Sequence, residues 1–314
     1  MTDVLAPMSL PPRPADGHKG TFGTVLIIGG QCGTRSMMVG SPALAALGAL
    51  RSGAGRVILA MPRPIMGQGL VLVPSATGCP LAVDAEGEID MHSACASLDA
   101  VEADVQAVAV GPGLGHGAAA QAIVSHLLSR QGPPLVIDAD GLNAIADAPG
   151  MLEHRRRSCI LTPHPGEYGR LAEALDLPAA GEDQSSRVAA AAALADRIQG
   201  VVALKGPGTV VSDGTRHWTC SAGTVVLAIP GSGDVLTGMV ASLLGQCSSA
   251  DAASVVALAT WLHGCAGQQW EQDQGSTGML AFELAEELPV LVQAYRDGAI
   301  RPGGTDSPPA GGTL

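Results

Sequence analysis

Six short apolar runs recur along this chain, and each stops at a glycine, a proline or an acid. Thr24–Ile28 runs into Gly29-Gly30, residues 56–60 into Met61-Pro62, and Ala107–Val110 into Gly111-Pro112-Gly113. Leu135–Ile137 runs into Asp138-Ala139-Asp140, Cys159–Leu161 into Thr162-Pro163-His164, and Val201–Leu204 into Lys205-Gly206. Stretches with helical character, 42–52, 117–130, 166–175 and 185–199, separate most of them. Continuous Val/Ile/Leu runs suit strands buried on both faces. Strand alternating with helix predicts an α/β fold: a doubly wound, mostly parallel central sheet with helices on both faces. All the polar and Gly-rich ends then fall at the carboxyl edge of the sheet, where such folds bind ligands. Beyond Leu204 the pattern changes. Segments 209–212 and 217–220 flank Asp213-Gly214 and predict a hairpin, and 232–245, 250–269 and 277–288 predict a helical last third.

Composition agrees with such a core. Hydrophobic residues are 46% and charged residues 15%, but aromatics are only 2%, so Ala, Val and Leu must build the interior, with 42 glycines allowing close approach. A net charge of −12 excludes a nucleic-acid surface, which needs clustered Lys and Arg, but not a nucleotide ligand. Seven scattered cysteines without a CxxC pair predict a reduced, cytoplasmic protein with no disulfide framework or zinc site. The first residues lack the basic-then-apolar order of a signal peptide, and the most apolar helical stretch contains His263 and is too short to span a bilayer, so no membrane association is expected. Residues 1–16 and 296–314 are rich in Pro, Gly and Ala and predict flexible ends, leaving one domain over 17–295.

The stretch Ile229-Pro230-Gly231-Ser232-Gly233-Asp234 precedes an apolar helical run. Small residues at a helix start leave backbone N–H groups open to an anion. An acid placed against that anion makes sense if it accepts a proton from an alcohol attacking phosphorus, which points to phosphoryl transfer. The plain alternative is a helix cap. Lys205-Gly206-Pro207-Gly208-Thr209 offers glycine N–H groups and a point charge to phosphate without P-loop spacing; a turn with an exposed lysine fits equally. His164 is pinned between two prolines at a strand end and reads as a ligand contact, while Glu167 suits the first turn of the next helix. Asp138, Asp140 and Asn143, with Glu167 on the neighbouring loop, offer hard oxygens for Mg²⁺, mostly through water; an N-cap by Asp140 is the alternative. His263 on a core helix reads as a satisfied buried histidine, and Met37-Met38 as packing.

Taken in order, HKGTFGTVLIIGG (18–30), ALRSGAG (49–55), GPGLG (111–115), VIDADGLNAIA (136–146), ILTPHPGEYGRL (160–171), ALKGPGTVV (203–211), GSGDVLTG (231–238) and LHGCAG (262–267) resemble the ADP/ATP-dependent NAD(P)H-hydrate dehydratase family, within the ribokinase-like superfamily. The resemblance covers roughly 18–290. It implies ADP- or ATP-dependent dehydration of the S form of hydrated NADH or NADPH (NADHX, NADPHX): the C6 hydroxyl is phosphorylated, then lost as phosphate. By the same resemblance Asp234 activates that hydroxyl, and Gly231, Ser232 and Gly233 hold the transferring phosphoryl. Lys205, Gly206, Pro207, Gly208, Thr209 and Gly233 hold the nucleotide, with Mg²⁺ accompanying it. Ser41, Gly113, His164 and Asp234 contact the hydrated dinucleotide. A homo-oligomer, a tetramer in this family, and a separate epimerase are implied too. A small-molecule kinase of the same superfamily, or a nucleotide-binding regulator, would share part of this pattern. Departures lie at 223–230, where the family carries an Asn-Pro-Gly-Met-Ala-Thr-Gly run and this chain has Thr224 to Pro230 instead, in the loop after Gly30, and at Gln268, where the family has an acid.

Overall fold

The computed structural model describes residues 5–34 and 36–302. Its core is one nine-stranded sheet. In chain order the strands and helices are β1 (Thr24–Ile28), a small antiparallel ribbon β2 (Gln31–Cys32) and β3 (Met37–Met38), α1 (Gly40–Arg51), β4 (Arg56–Pro62), α2 (Met66–Leu72), β5 (Thr77–Leu81), α3 (Met91–Glu102), β6 (Ala107–Val110), α4 (Ala118–Ser129), β7 (Leu135–Ile137), α5 (Asp140–Asp147), β8 (Cys159–Leu161), α6 (Pro165–Leu175), α7 (Gln184–Ile198), β9 (Val201–Leu204), the hairpin β10 (Val210–Ser212) and β11 (His217–Thr219), and α8 (Ser232–Gln246), α9 (Ala252–Gln274) and α10 (Ala281–Arg296). The spatial order is β11-β10-β9-β8-β7-β6-β1-β4-β5. All neighbours are parallel except at β9–β10 and β10–β11. This is the doubly wound α/β sheet the alternation predicts.

The side-chain alternation of β1 shows both faces at work. Val25 and Ile27 enter one core with residues of α1, α8, α9 and α10; Leu26 and Ile28 enter the other with α3 to α7. The chain leaves β1 for β4 and β5 on one side and returns through β6 on the other. Strand order therefore reverses between β1 and β6, and the crevice at such a reversal is where open α/β sheets bind ligands. The loops bounding it approach closely: Gly30 N–H donates to Pro112 O at 3.0 Å.

Two expectations need correction. Of the segment 1–16 expected to be a flexible end, the described residues 5–16 are tied to the fold: Leu5 is fully buried, the Tyr295 hydroxyl donates to Met8 O at 2.7 Å, and Arg13 lies over the Phe22 ring. Residues 1–4 and 303–314 lie outside the described residues. The helix expected at 277–288 starts at Ala281 and continues through Pro289 to Arg296, because Leu291, Val292 and Tyr295 are buried beyond the proline. That packing outweighs the lost hydrogen bond. Strand β5 and helices α2 and α3 carried no clear signal; Pro80 disguises β5, which tolerates it as an edge strand.

Candidate active site

Helix α8 begins in the crevice. Gly231 is its N-cap at φ +92°, the left-handed region that favours glycine, and a Cβ there would lie 2.5 Å from Leu44 Cδ1. No side chain caps this end. Ser232 N–H leans toward Ile229 O at 3.4 Å, whereas Gly233 and Asp234 N–H have no backbone acceptor among the described residues. Of the anion-binding groups expected here, Ser232 is therefore the weakest. Its hydroxyl and carbonyl are instead held from behind by buried His263, whose Nε2 lies 3.2 Å from the hydroxyl and 3.0 Å from the carbonyl oxygen. Burial, with Lys205 adding to it and the Ser232 bond opposing it, pushes His263 down to about 4, so it stays neutral, as a satisfied core histidine should.

Asp234 stands in the first turn of α8 and accepts a hydrogen bond from the Ser41 side chain at the start of α1. Burial, then the nearby Asp138 carboxylate, push it up to about 7, against the pull of Ser41 and Lys205. A carboxylate in that range suits a general base at neutral pH. The two helices meet this closely because glycines face backbone. A Cβ on Gly238 would lie 1.8 Å from Ala45 O, and one on Gly48 2.4 Å from Val235 O.

Lys205, at the end of β9, is mostly shielded rather than exposed. Its Nζ lies 2.7 Å from Asp138 Oδ1 and 3.8 Å from Glu167 Oε2, and a Cβ on Gly233 would sit 3.1 Å from it. Burial pulls its pKa down, but Asp138 and Glu167 outweigh burial and raise it. Asp138 also accepts from the Thr237 hydroxyl at 2.7 Å, one turn beyond Asp234 on α8. Ala139, at φ +48°, turns the chain so that Asp138 faces Lys205 while Asp140 faces away. Glu167 is buried; that raises its pKa, and Lys205 only partly offsets it.

His164 caps α6. Its Nδ1 accepts from Gly166 N–H at 3.0 Å and Glu167 N–H at 3.4 Å, while His164 N–H donates to Glu167 Oε2 at 2.7 Å. With Nδ1 used as acceptor, the proton is assigned to Nε2, which lies 3.4 Å from Glu167 Oε1 on a ring whose side chain is 51% exposed. Burial, then Lys205 and Arg170, lower its pKa and keep it a neutral donor. Gly113, at φ +62°, lies across the crevice from Ser41: a Cβ would be 3.3 Å from Ser41 Cβ and 2.3 Å from Met38 Cγ. Of Met37 and Met38, expected to pack, Met37 is largely exposed on the ribbon, whereas Met38 is only 39% exposed and lies against Gly113.

The Lys205-Gly206-Pro207-Gly208-Thr209 loop is held in shape by its own atoms. Thr209 Oγ1 donates to Gly206 O at 3.0 Å and accepts from Gly206 N–H at 3.2 Å. Gln184 Nε2 donates to Gly208 O at 3.0 Å, and buried Arg187 donates to Leu204 O and Lys205 O at 3.2 and 3.3 Å. The Thr209 hydroxyl is thus engaged in shaping the loop. Thr237, Gln184 and Arg187 were not singled out in the sequence. Thr237 lay legible inside GSGDVLTG, three residues after the acid, but nothing in sequence pairs Arg187 with a loop 18 residues on.

The oxygen set Asp138, Asp140, Asn143 and Glu167 does not come together. Asp138 and Glu167 face Lys205, whereas Asp140 accepts from Gly115 N–H at 2.8 Å and Asn143 Oδ1 from Arg170 Nε at 2.9 Å. Among the described residues no group of three or more His, Cys, Asp or Glu could hold a metal ion. Asp140 is not an N-cap either; Ala139 occupies that position. Of the departures, Pro230 is exposed, Thr224 caps a short turn at Val225–Leu227, and the Gln268 Oε1 is buried without a hydrogen-bond partner among the described residues.

With the site assembled, comparison with known proteins is specific. Residues 25–290 match the family described as NAD(P)H-hydrate dehydratase. The ADP-dependent (S)-NAD(P)H-hydrate dehydratase of Bacillus subtilis is 34% identical over 287 residues, covering 90% of this chain and 93% of that one. A bifunctional NAD(P)H-hydrate repair enzyme of Moorella thermoacetica is 37% identical over 295 residues, 93% of this chain but 53% of that one. The chain spans about half the length of such bifunctional relatives. A crystal structure of the ADP/ATP-dependent dehydratase from Bacillus subtilis, co-crystallised with ATP/Mg²⁺, superposes with a TM-score of 0.73 at 30% identity over 91% of this chain and 95% of that one.

Proposed function

Because the chain belongs to the NAD(P)H-hydrate dehydratase family, we propose that it dehydrates the S form of hydrated NADH or NADPH at the expense of ADP or ATP. The observation that carries this reading is Asp234: an acid pushed up to about 7, bonded to Ser41, and standing in the first turn of an uncapped helix beside Lys205.

The residues divide the work. The open N–H groups of Gly233 and Asp234 and the Lys205 ammonium face the phosphoryl that moves. Asp234 accepts the proton of the C6 hydroxyl as its oxygen bonds to phosphorus, and the nucleotide leaves one phosphate shorter. The C6–O bond then breaks, orthophosphate departs, and loss of the C5 proton restores the ring double bond. Ser41 and Gly113 frame the hydrated ring, and the His164 Nε2–H donates to the dinucleotide. Gly206, Pro207 and Gly208 form the loop that approaches the donor, with Thr209 setting its shape.

Asp138, Glu167 and Asp234 place carboxylates around a single ammonium. A polyanionic donor entering such a site needs further positive charge, and Mg²⁺ carried on its phosphates and waters supplies it without a protein cage. Asp138 and Glu167 are the residues that would hold its waters. We further propose a cytoplasmic homo-oligomer that receives the S form from a separate epimerase. No helix among the described residues is long and apolar enough to cross a membrane.

Product analysis tests the reading. Hydrated NADH with ADP should yield dihydronicotinamide absorbance and orthophosphate in equal amounts. A stable phosphorylated product would instead indicate a kinase of the same fold, and nucleotide binding with no turnover would indicate a regulator.

A further inference from the structure

The failed oxygen set has another use, and it deepens the reading just given. Asp140 Oδ2 accepts from Gly115 N–H at 2.8 Å, so it anchors the loop that carries Gly113. Its Oδ1 lies 3.2 Å from His116 Nε2 and 3.3 Å from Asn143 Nδ2. Asn143, with its amide thus oriented, presents Oδ1 to Arg170 Nε at 2.9 Å. Arg170 is exposed and sits three residues beyond Glu167, on the same side of α6. Its charge reaches both Glu167 and His164. Only its Nε is engaged among the described residues, so the two terminal nitrogens form an open fork at the rim, beside the exposed His164 and His116. Held planar donors of this kind match phosphate oxygens in pairs.

In the proposed reaction the crevice floor is taken by the donor's phosphoryl, beside Gly233 and among the Asp138, Glu167 and Asp234 carboxylates, with Lys205 paired to two of them. A dinucleotide whose hydrated ring reaches Asp234 must therefore land its phosphates further out. We propose that Arg170, aimed by Asn143 and Asp140, is a specificity residue that grips a phosphate of the hydrated dinucleotide at this rim. Asp140 and Asn143 are positioning residues. The phosphate is either the pyrophosphate common to both substrates or the 2′-phosphate of NADPHX. The inference rests on the proposed reaction.

Steady-state kinetics with NADHX and NADPHX separate these sources. Arg170→Ala should raise KM roughly ten- to a hundredfold, the range for a charged hydrogen bond, with a far smaller change in kcat. A rise for both substrates assigns the pyrophosphate; a rise for NADPHX alone assigns the 2′-phosphate. Asn143→Ala should raise KM less, and should add nothing further in the Arg170→Ala background, whereas a merely structural role would be additive. An unchanged KM for both dinucleotides, or a rise confined to ADP, overturns the proposal. Wild-type protein assayed alongside keeps the two readings apart: failure to turn over either dinucleotide sinks the reaction, not Arg170.

Discussion

In the proposed reaction Asp234 takes the hydroxyl proton, so its titration should be visible in the rate. The ionised form accepts the proton, so kcat/KM should rise with pH through about 7 and level off above it. Lys205 holds that pKa down. Lys205→Met should therefore move the rising limb to higher pH, besides weakening nucleotide binding by about 1.5–3 kcal/mol; a pH–rate profile with ADP titrations checks both, and an unmoved limb would detach Lys205 from Asp234. The same shift bears on stability. Folding raises the Asp234 pKa from 3.8 to about 7, so the folded state holds the proton more tightly than the unfolded chain. Stability from this group is full below pH 4 and is lost as pH climbs toward and through about 7. Asp234→Asn removes the loss and should stabilise the fold by roughly 1–3 kcal/mol at pH 8. Urea denaturation reads this directly, and a destabilised variant would contradict the burial argument.

At the scale of elements, the site depends on α1 and α8 touching backbone to backbone, since one carries Ser41 and the other Asp234. Gly238→Ala must push a methyl against Ala45 O and should cost about 1–3 kcal/mol, with a loss of kcat exceeding the loss of nucleotide affinity. Equal losses in both would mean that helix spacing does not set the Ser41–Asp234 geometry. Elements were legible where one signal ruled. β1, β6, β7, β8 and β9 have their expected bounds because continuous apolar runs, each stopped within two residues by glycine, proline or acid, leave no other choice. β5 was not legible, since Pro80 argues against a strand until an edge position is known. The motifs that carry the candidate residues were legible, but the partners of those residues were not. That Lys205 pairs with Asp138, 67 residues away, follows from β9 and β7 flanking β8, a fact of topology rather than of spacing. Asp140 and Asn143 misled for a related reason: a positive φ at Ala139 turns neighbouring acids to opposite sides.

Across the whole molecule, the N-terminal segment ties distant helices together. Leu5 is buried in the α8–α10 core, Met8 N–H donates to Ser254 O, and Arg296 donates to Pro11 O. Leu5→Ala should therefore destabilise the protein by roughly 2–5 kcal/mol while leaving ADP affinity unchanged; thermal melts and calorimetry check the pair, and a neutral melt would contradict the packing. The carboxyl edge stands apart from this scaffold role. There, an acid made basic by burial, an uncapped helix start and one shielded lysine meet where the strand order reverses. The most direct test of that arrangement is single-turnover restoration of NADH by Asp234→Asn with saturating ADP, with ADP affinity measured on the same sample. Turnover should vanish while ADP binds within a few-fold of the parent protein. Restoration at near-parent rates would show that Asp234 does not take the hydroxyl proton.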